Sequence, residues 1–178
     1  IPIPPQDGCD IVGDGSADEP CINVYRYDRE TDELTLVTRG PNETAADGFS
    51  VFASISDDGR YIAFLSNATN LDATQEVLCD QQGQQVPCAN VYLYDHETQE
   101  IKWVTRPVKG SYPNEFSFFT HLAANGQAIV YYSVATNLVA EDTNEFGDIF
   151  LYDIPTGTTR IVSVSSEGEL ANETSYSP

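Results

Sequence analysis

Short apolar runs, rich in β-branched and aromatic residues, alternate along the chain with polar stretches that carry most of its Gly, Asn, Asp and Pro. Helix signals are nearly absent, and 12 Gly and 10 Pro punctuate the runs, so the pattern predicts an all-β protein. Four strands are expected in the middle of the chain: Phe49 to Ile55, Tyr61 to Ser66, Asn90 to Asp95 and Glu100 to Arg106. The segment Asp57-Asp58-Gly59 supplies the tight turn between the first two, because Gly tolerates positive φ and Asp binds nearby backbone N–H groups. Further on, Asn125-Gly126 is suited to the same task. Turns beginning at Asp28, Asp95 and Asp153, each with a Thr three residues later, are expected to join third and fourth strands. The third strand has Val91 and Leu93 on one side and Tyr92 and Tyr94 on the other, so it must be covered from both sides.

That third strand recurs. Asn23-Val-Tyr-Arg-Tyr-Asp28 returns as Asn90-Val-Tyr-Leu-Tyr-Asp95 and as Asp148-Ile-Phe-Leu-Tyr-Asp153. In the same register Leu36-Val-Thr-Arg39 answers Trp103-Val-Thr-Arg106 and Ile161-Val-Ser-Val164, while Ala68-Thr-Asn-Leu71 answers Ala135-Thr-Asn-Leu138. Repeats of roughly 40 to 70 residues mean a propeller, a solenoid or another array. Face-to-face packing of successive small sheets, as between propeller blades, gives the third strand its two-sided cover.

The segment Ser54-Ile-Ser-Asp-Asp-Gly-Arg-Tyr-Ile-Ala-Phe64, followed by Asn90-Val-Tyr-Leu-Tyr-Asp95, resembles the blade repeat of TolB-like, WD-repeat-like β-propellers. The resemblance covers nearly all of the chain after Asn23. It implies that the Ser-x-Asp-Gly segment links two inner strands and that Tyr-x-Tyr-Asp is the third. The second copy departs from the pattern at His121-Leu-Ala-Ala-Asn-Gly126. The resulting division is an extended arm and disulfide loop at 1–21, a partial blade of third and fourth strands at 22–48, full blades at 49–107 and 108–165, and the start of a further blade or a linker at 166–178. The expected fold is thus all-β, with two full four-stranded blades plus partial blade elements, open at both ends. Rings of this kind close with about six or seven blades of some 50 residues, more than 178 residues supply. Either the chain is a piece of a longer protein, or copies assemble so that a neighbour covers each open face.

Charge narrows the partners. Eight Lys and Arg stand against 28 Asp and Glu, a net charge of -20, which opposes phosphate backbones and anionic lipid. Nucleic acid is not an expected partner, and no apolar run approaches the ~18 residues of a membrane span. No basic start followed by an apolar stretch marks a leader, and Ile1-Pro-Ile-Pro-Pro5 reads as an extended arm, so the chain is expected to be soluble. Self-association or contact with other protein subunits fits better. An excess of carboxylates also suits hard cations, calcium above all.

Each of Cys21 and Cys88 directly precedes a repeated strand and has one partner upstream, Cys9 or Cys79. Two local bridges, Cys9 to Cys21 and Cys79 to Cys88, follow from that duplicated placement, although four cysteines permit three connectivities. The short Cys-x-x-Cys spacing of structural zinc is missing. Paired cysteines point to an oxidising compartment: a secreted, periplasmic or cell-surface protein.

In the third repeat the corresponding connection holds no cysteine. Its Asp142, Asn144 and Asp148 place oxygens two and four residues apart around Gly147, a spacing that can wrap calcium or merely build a polar turn. Asp10, Asp14 and Asp18 form a weaker candidate of the same kind. Asn42, Asn67 and Asn172 begin Asn-x-Ser/Thr triplets, the acceptor pattern for glycans in secreted proteins. Nucleophile elbows, zinc-protease motifs and phosphate loops are all missing, and His96 and His121 have no recognisable catalytic partner. Trp103, Tyr112, Phe116 and Phe119 could stack sugars or fill the space between blades. The chain therefore reads as a non-catalytic extracellular scaffold or interaction module that self-assembles into a ring or filament. The alternatives are the accessory propeller of a secreted hydrolase and a glycan-binding propeller.

Overall fold

The computed structural model describes residues 8–9, 19–20, 22–40, 44–72, 74 and 76–178, and no helix occurs among them. Strands β1 (Gly8–Cys9) and β2 (Glu19–Pro20) pair with each other near the start. A two-stranded sheet follows, β3 (Tyr25–Asp28) with β4 (Glu33–Leu36). The central sheet has four antiparallel strands in the order β10-β9-β6-β5: β5 is Ser50–Ile55, β6 Tyr61–Ser66, β9 Asn90–Asp95 and β10 Glu100–Trp103. Between β6 and β9 a small hairpin is inserted, β7 (Cys79–Gln81) with β8 (Gln84–Val86). The last sheet repeats the meander as β11 (Ser117–Leu122), β12 (Ala128–Ser133), β13 (Asp148–Asp153) and β14 (Thr158–Ile161). These are the expected strands of two propeller-type blades, β10 alone stopping short at Trp103.

Turn chemistry explains the hairpins. Gly59 lies at φ 70°, with the Ser56 hydroxyl and the Arg60 N–H both donating to Asp58 Oδ1. Gly126 lies at φ 67° in the second copy, its N–H donating to the Ala123 carbonyl at 2.8 Å, so this turn forms despite its departure from the blade pattern. At the next corner Asp28 accepts from the Glu30 and Thr31 N–H groups, Asp95 from Glu97, and Asp153 from both the N–H and hydroxyl of Thr156.

Stacked sheets give the core its two layers. Ala63, Leu65, Val91 and Leu93 of the central sheet meet Ile129, Tyr131, Phe150 and Tyr152 of the last one. From its other side Ile62, Phe64, Tyr92 and Tyr94 pack with Val24 and Val37, which flank the two-stranded sheet. Each blade offers a stacked aromatic pair to the blade before it, Phe64 on Tyr92 and Tyr131 on Phe150, both with ring centroids 5.6 Å apart. Complete burial of one such side chain contributes on the order of 1.5–3 kcal/mol. Two-sided cover of the central sheet is therefore its main source of cohesion.

Both leading strands are bulged. The register of β5 against β6 shifts between Val51 and Ser54, and that of β11 against β12 between Phe118 and His121. Phe52 and Phe119 occupy the bulges at φ 53° and 49°, 60% and 48% exposed.

Candidate functional site

One hydrogen-bonded joint recurs at the head of every third strand. The Thr38 hydroxyl donates to Asn23 Oδ1 at 2.6 Å and accepts from the Val24 N–H. In the central sheet Thr105 does the same for Asn90 at 2.7 Å and Val91. In the last sheet the pair is Ser163 and Asp148, at 2.6 Å, with the Ile149 N–H on the Ser163 oxygen. The residue preceding each joint then accepts a backbone N–H from further along the chain: Ser50, which opens β5, donates to the Ile22 carbonyl, Ser117, which opens β11, to Ala89, and Ser175, beyond the last strand, to Gly147.

Asn90 is fully occupied. Its Oδ1 accepts from Trp103 Nε1 as well as from Thr105, and its Nδ2 donates to the carbonyl and Sγ of Cys88. Cys88 is in turn bonded to Cys79, with a Cα separation of 5.7 Å, as the repeat placement predicts. The Cys9–Cys21 bridge and Asp10, Asp14 and Asp18 lie outside the residues whose side chains are described.

The equivalent site in the last sheet is chemically different. Asp148 is 0% exposed and its Oδ2 has no partner; Asp142 is 8% exposed and neither of its oxygens holds a hydrogen bond of good geometry. Burial, and after it the charge of Asp148, push the Asp142 carboxyl up to about 6, against a smaller downward pull from the Asn144 backbone. Asn144 is a clamp: its Oδ1 accepts from the Phe146 N–H at 3.1 Å and its Nδ2 donates to the Ala171 carbonyl at 3.0 Å. Gly147 passes so close to the Tyr132 ring that a Cβ would collide with it, which holds the loop against the sheet. Asp142 also lines a cleft with Val108, Asn114, Asn137 and Val139. The structure thus brings Asp142 and Asp148 into one buried environment and sets Asn144 to holding the loop. Among the described residues, no three His, Cys, Asp or Glu side chains form a metal-binding group.

No protein-family model matches the chain, and no curated protein matches it either. Among solved structures it is similar to TolB from Acinetobacter baumannii, at 22% identity and a TM-score of 0.41 over 83% of this chain and 28% of that one. It is also similar to the oligogalacturonate lyase from Vibrio parahaemolyticus, at 19% and 0.41 over 78% of this chain and 32% of that one. A third is the tricorn protease, at 17% and 0.45 over 87% of this chain and 14% of that one. The chain spans less than a third of the length of each of these three. TolB, named by the resemblance of the blade motifs, is among the similar structures.

The aromatic residues separate. Trp103 is buried, its indole N–H committed to Asn90 and Thr105, while Tyr112 packs half-buried against the same core layer. Phe116 and Phe119 belong instead to an aromatic group with Phe118, which packs on the core, and the buried Tyr132. His96 sits in the β9–β10 turn beside Gln99, and His121 is exposed on β11. Of the sequons, Asn172 is exposed, Asn67 Oδ1 is engaged by the Phe49 N–H at 2.8 Å, and Asn42 lies outside the described residues. Sequence reading missed a cleft of about 430 Å³ on which Arg39, Lys102 and Arg106 converge, with Asp72 3.5 Å from Arg106. Arg39 and Asp72 are far in sequence from Lys102 and Arg106, and only the packing of the chain unites the four.

Proposed function

We propose that the chain is a non-catalytic scaffold or interaction module that works by stacking blade on blade, head to tail. The observation that carries this reading is the outer face of the last sheet. Val130, Tyr132, Ile149 and Leu151 share that face through the pairings Val130 with Leu151 and Tyr132 with Ile149. They stand where Ala63, Leu65, Val91 and Leu93 stand in the central sheet, the four side chains that receive the next blade. Val130, Ile149 and Leu151 are only half-buried here, whereas their counterparts are buried. Tyr176, itself 71% exposed, is tilted against Tyr132 at a centroid distance of 5.7 Å, at the position of Phe118 in the previous blade, which supports this face as the one a further blade would cover. At the opposite end Tyr27, the counterpart of Tyr94, is 52% exposed. Two unlike, complementary faces make a heterologous contact, which closes into a ring or runs on as a filament. The covering blade comes from the same polypeptide or from a second copy.

The Cys79–Cys88 bridge supports an extracellular or periplasmic setting, and Asn172 is the sequon best placed to carry a glycan there. Sedimentation of the 178-residue chain across a concentration series, with electron microscopy of the largest species, tests the self-assembling form. Concentration-dependent association that Leu151→Glu abolishes supports it. Identical monomeric behaviour of the parent and Leu151→Glu at all concentrations overturns it.

A further inference from the structure

We propose that Asp142 and Asp148 form a calcium site that closes the last blade where the Cys79–Cys88 bridge closes the central one. Three features of the chain converge on it.

The first is unmet valence. Buried polar atoms are almost always hydrogen-bonded, and a buried carboxylate without a partner is among the least favourable arrangements a fold can hold. Here three carboxylate oxygens, both of Asp142 and one of Asp148, hold no hydrogen bond of good geometry, the Asn144 backbone giving Asp142 only a weak pull, and both residues are more than nine-tenths buried. Two carboxylates supply the charge of -2 that one divalent cation balances.

The second is the contrast between equivalent positions. Asn23 and Asn90 are amides, and Asn90 uses its N–H donors on Cys88. Asp148 keeps the hydroxyl contact, to Ser163, but exchanges the donor side of the amide for a second acceptor oxygen. An acceptor placed where a donor stood calls for a hydrogen-bond donor or a cation, and the described side chains supply neither to Oδ2: Asp148 takes part in none of the ion pairs formed among described residues.

The third is loop chemistry. The connection from Asp142 to Asp148 is short, carries Glu145 at φ 59°, and is clamped by Asn144 and Gly147, so the backbone between the two carboxylates is held in one conformation. Calcium takes six to eight oxygens and accepts backbone and amide carbonyls beside carboxylates, whereas magnesium demands a stricter octahedron. Oxygen-only donors and only two carboxylates thus favour calcium over a transition metal. The cleft lined by Asp142 gives the ion its route in.

Thermal unfolding of the whole chain after removal of metal by chelation and dialysis tests this. Calcium, magnesium and sodium chloride are compared at equal ionic strength, because screening alone stabilises a chain of charge -20. Calcium at about a hundredfold excess over its Kd is expected to raise Tm by roughly 5–10 °C, with magnesium doing less. Asp148→Asn restores the residue type of the other repeats, so it is expected to melt no lower than the metal-free parent while losing the calcium shift and the calorimetric heat of calcium binding. Asp142→Asn is expected to lose the same shift by an independent substitution. No shift in the parent, or a full shift retained in both variants, overturns the proposal.

Discussion

The central and last sheets share topology, turn chemistry and the joint at the head of the third strand, yet they differ in what covers them and in what completes that joint. The central sheet is enclosed on both faces, and its Asn90 has every polar atom paired, with a disulfide beside it. The last sheet is enclosed on one face, and Asp148 takes the place of Asn90 with an oxygen left over. A repeat therefore specifies a backbone more tightly than it specifies a means of closure. Where a covalent bridge is missing, the same backbone leaves open acceptors and an open apolar face, which are the two features on which the proposals above rest.

The sharpest way to break this comparison is to truncate one side chain on each sheet. Tyr92→Ala empties a fully buried position stacked on Phe64 and is expected to cost about 3–5 kcal/mol by urea denaturation. Leu151→Ala on the open face is expected to cost less than about 1.5 kcal/mol in the dilute chain. Equal costs in dilute solution would mean that the outer face is already covered.

A smaller effect comes from exchanging the joint. Asn90→Asp leaves the hydroxyl contact to Thr105 but turns two donors toward Cys88 into an acceptor, and is expected to cost about 1–3 kcal/mol. Asp148→Asn, the reverse exchange, is expected to be neutral or stabilising without metal. Chemical denaturation of the two variants side by side checks the asymmetry.

The smallest expected effect lies at the β9–β10 turn. Burial pushes Asp95 up, but the paired contact to Arg60, at 3.1 and 2.8 Å, and the Glu97 N–H outweigh it and hold the carboxyl below its ordinary value. The unfolded chain then takes up the proton first, so this contribution is present above about pH 4 and is lost as pH falls through the lower, folded value. Because Arg60 is partly exposed, Asp95→Asn is expected to cost less than about 1 kcal/mol at pH 7. Its difference from the parent should shrink steadily as pH falls below about 4, as pH-dependent melting would reveal.

Much of the architecture was legible because two periods coincide: alternation within each strand and recurrence of the Tyr-x-Tyr-Asp strand itself. Val91 and Leu93 against Tyr92 and Tyr94 announced two covered faces, and the two core layers divide them in just that way. The Cys79–Cys88 bridge was legible from its duplicated position. What escaped has a common cause. The β7–β8 hairpin is built largely on Gln81, Gln84 and Gln85, with Val86 as its single β-branched residue, and its tight turn has Gln82 and Gly83 at positive φ. Trp103 looks like a sugar platform by composition, but its N–H finds Asn90 and Thr105 only once the strands pair. Asp142 and Asp148 were readable as oxygen donors, whereas their loss of water and Asn144's commitment to Ala171 depend on packing from distant segments.

The bulges at Phe52 and Phe119 have a bearing on how such a molecule avoids clumping. A leading strand at the rim of a sheet ordinarily invites any passing extended segment to zip alongside it. An extra residue in left-handed geometry twists the rim and breaks its ladder of donors and acceptors in both sheets. Zipping of a foreign strand onto these two rims is thereby disfavoured, whereas the opposite rims, β10 and β14, keep a regular register.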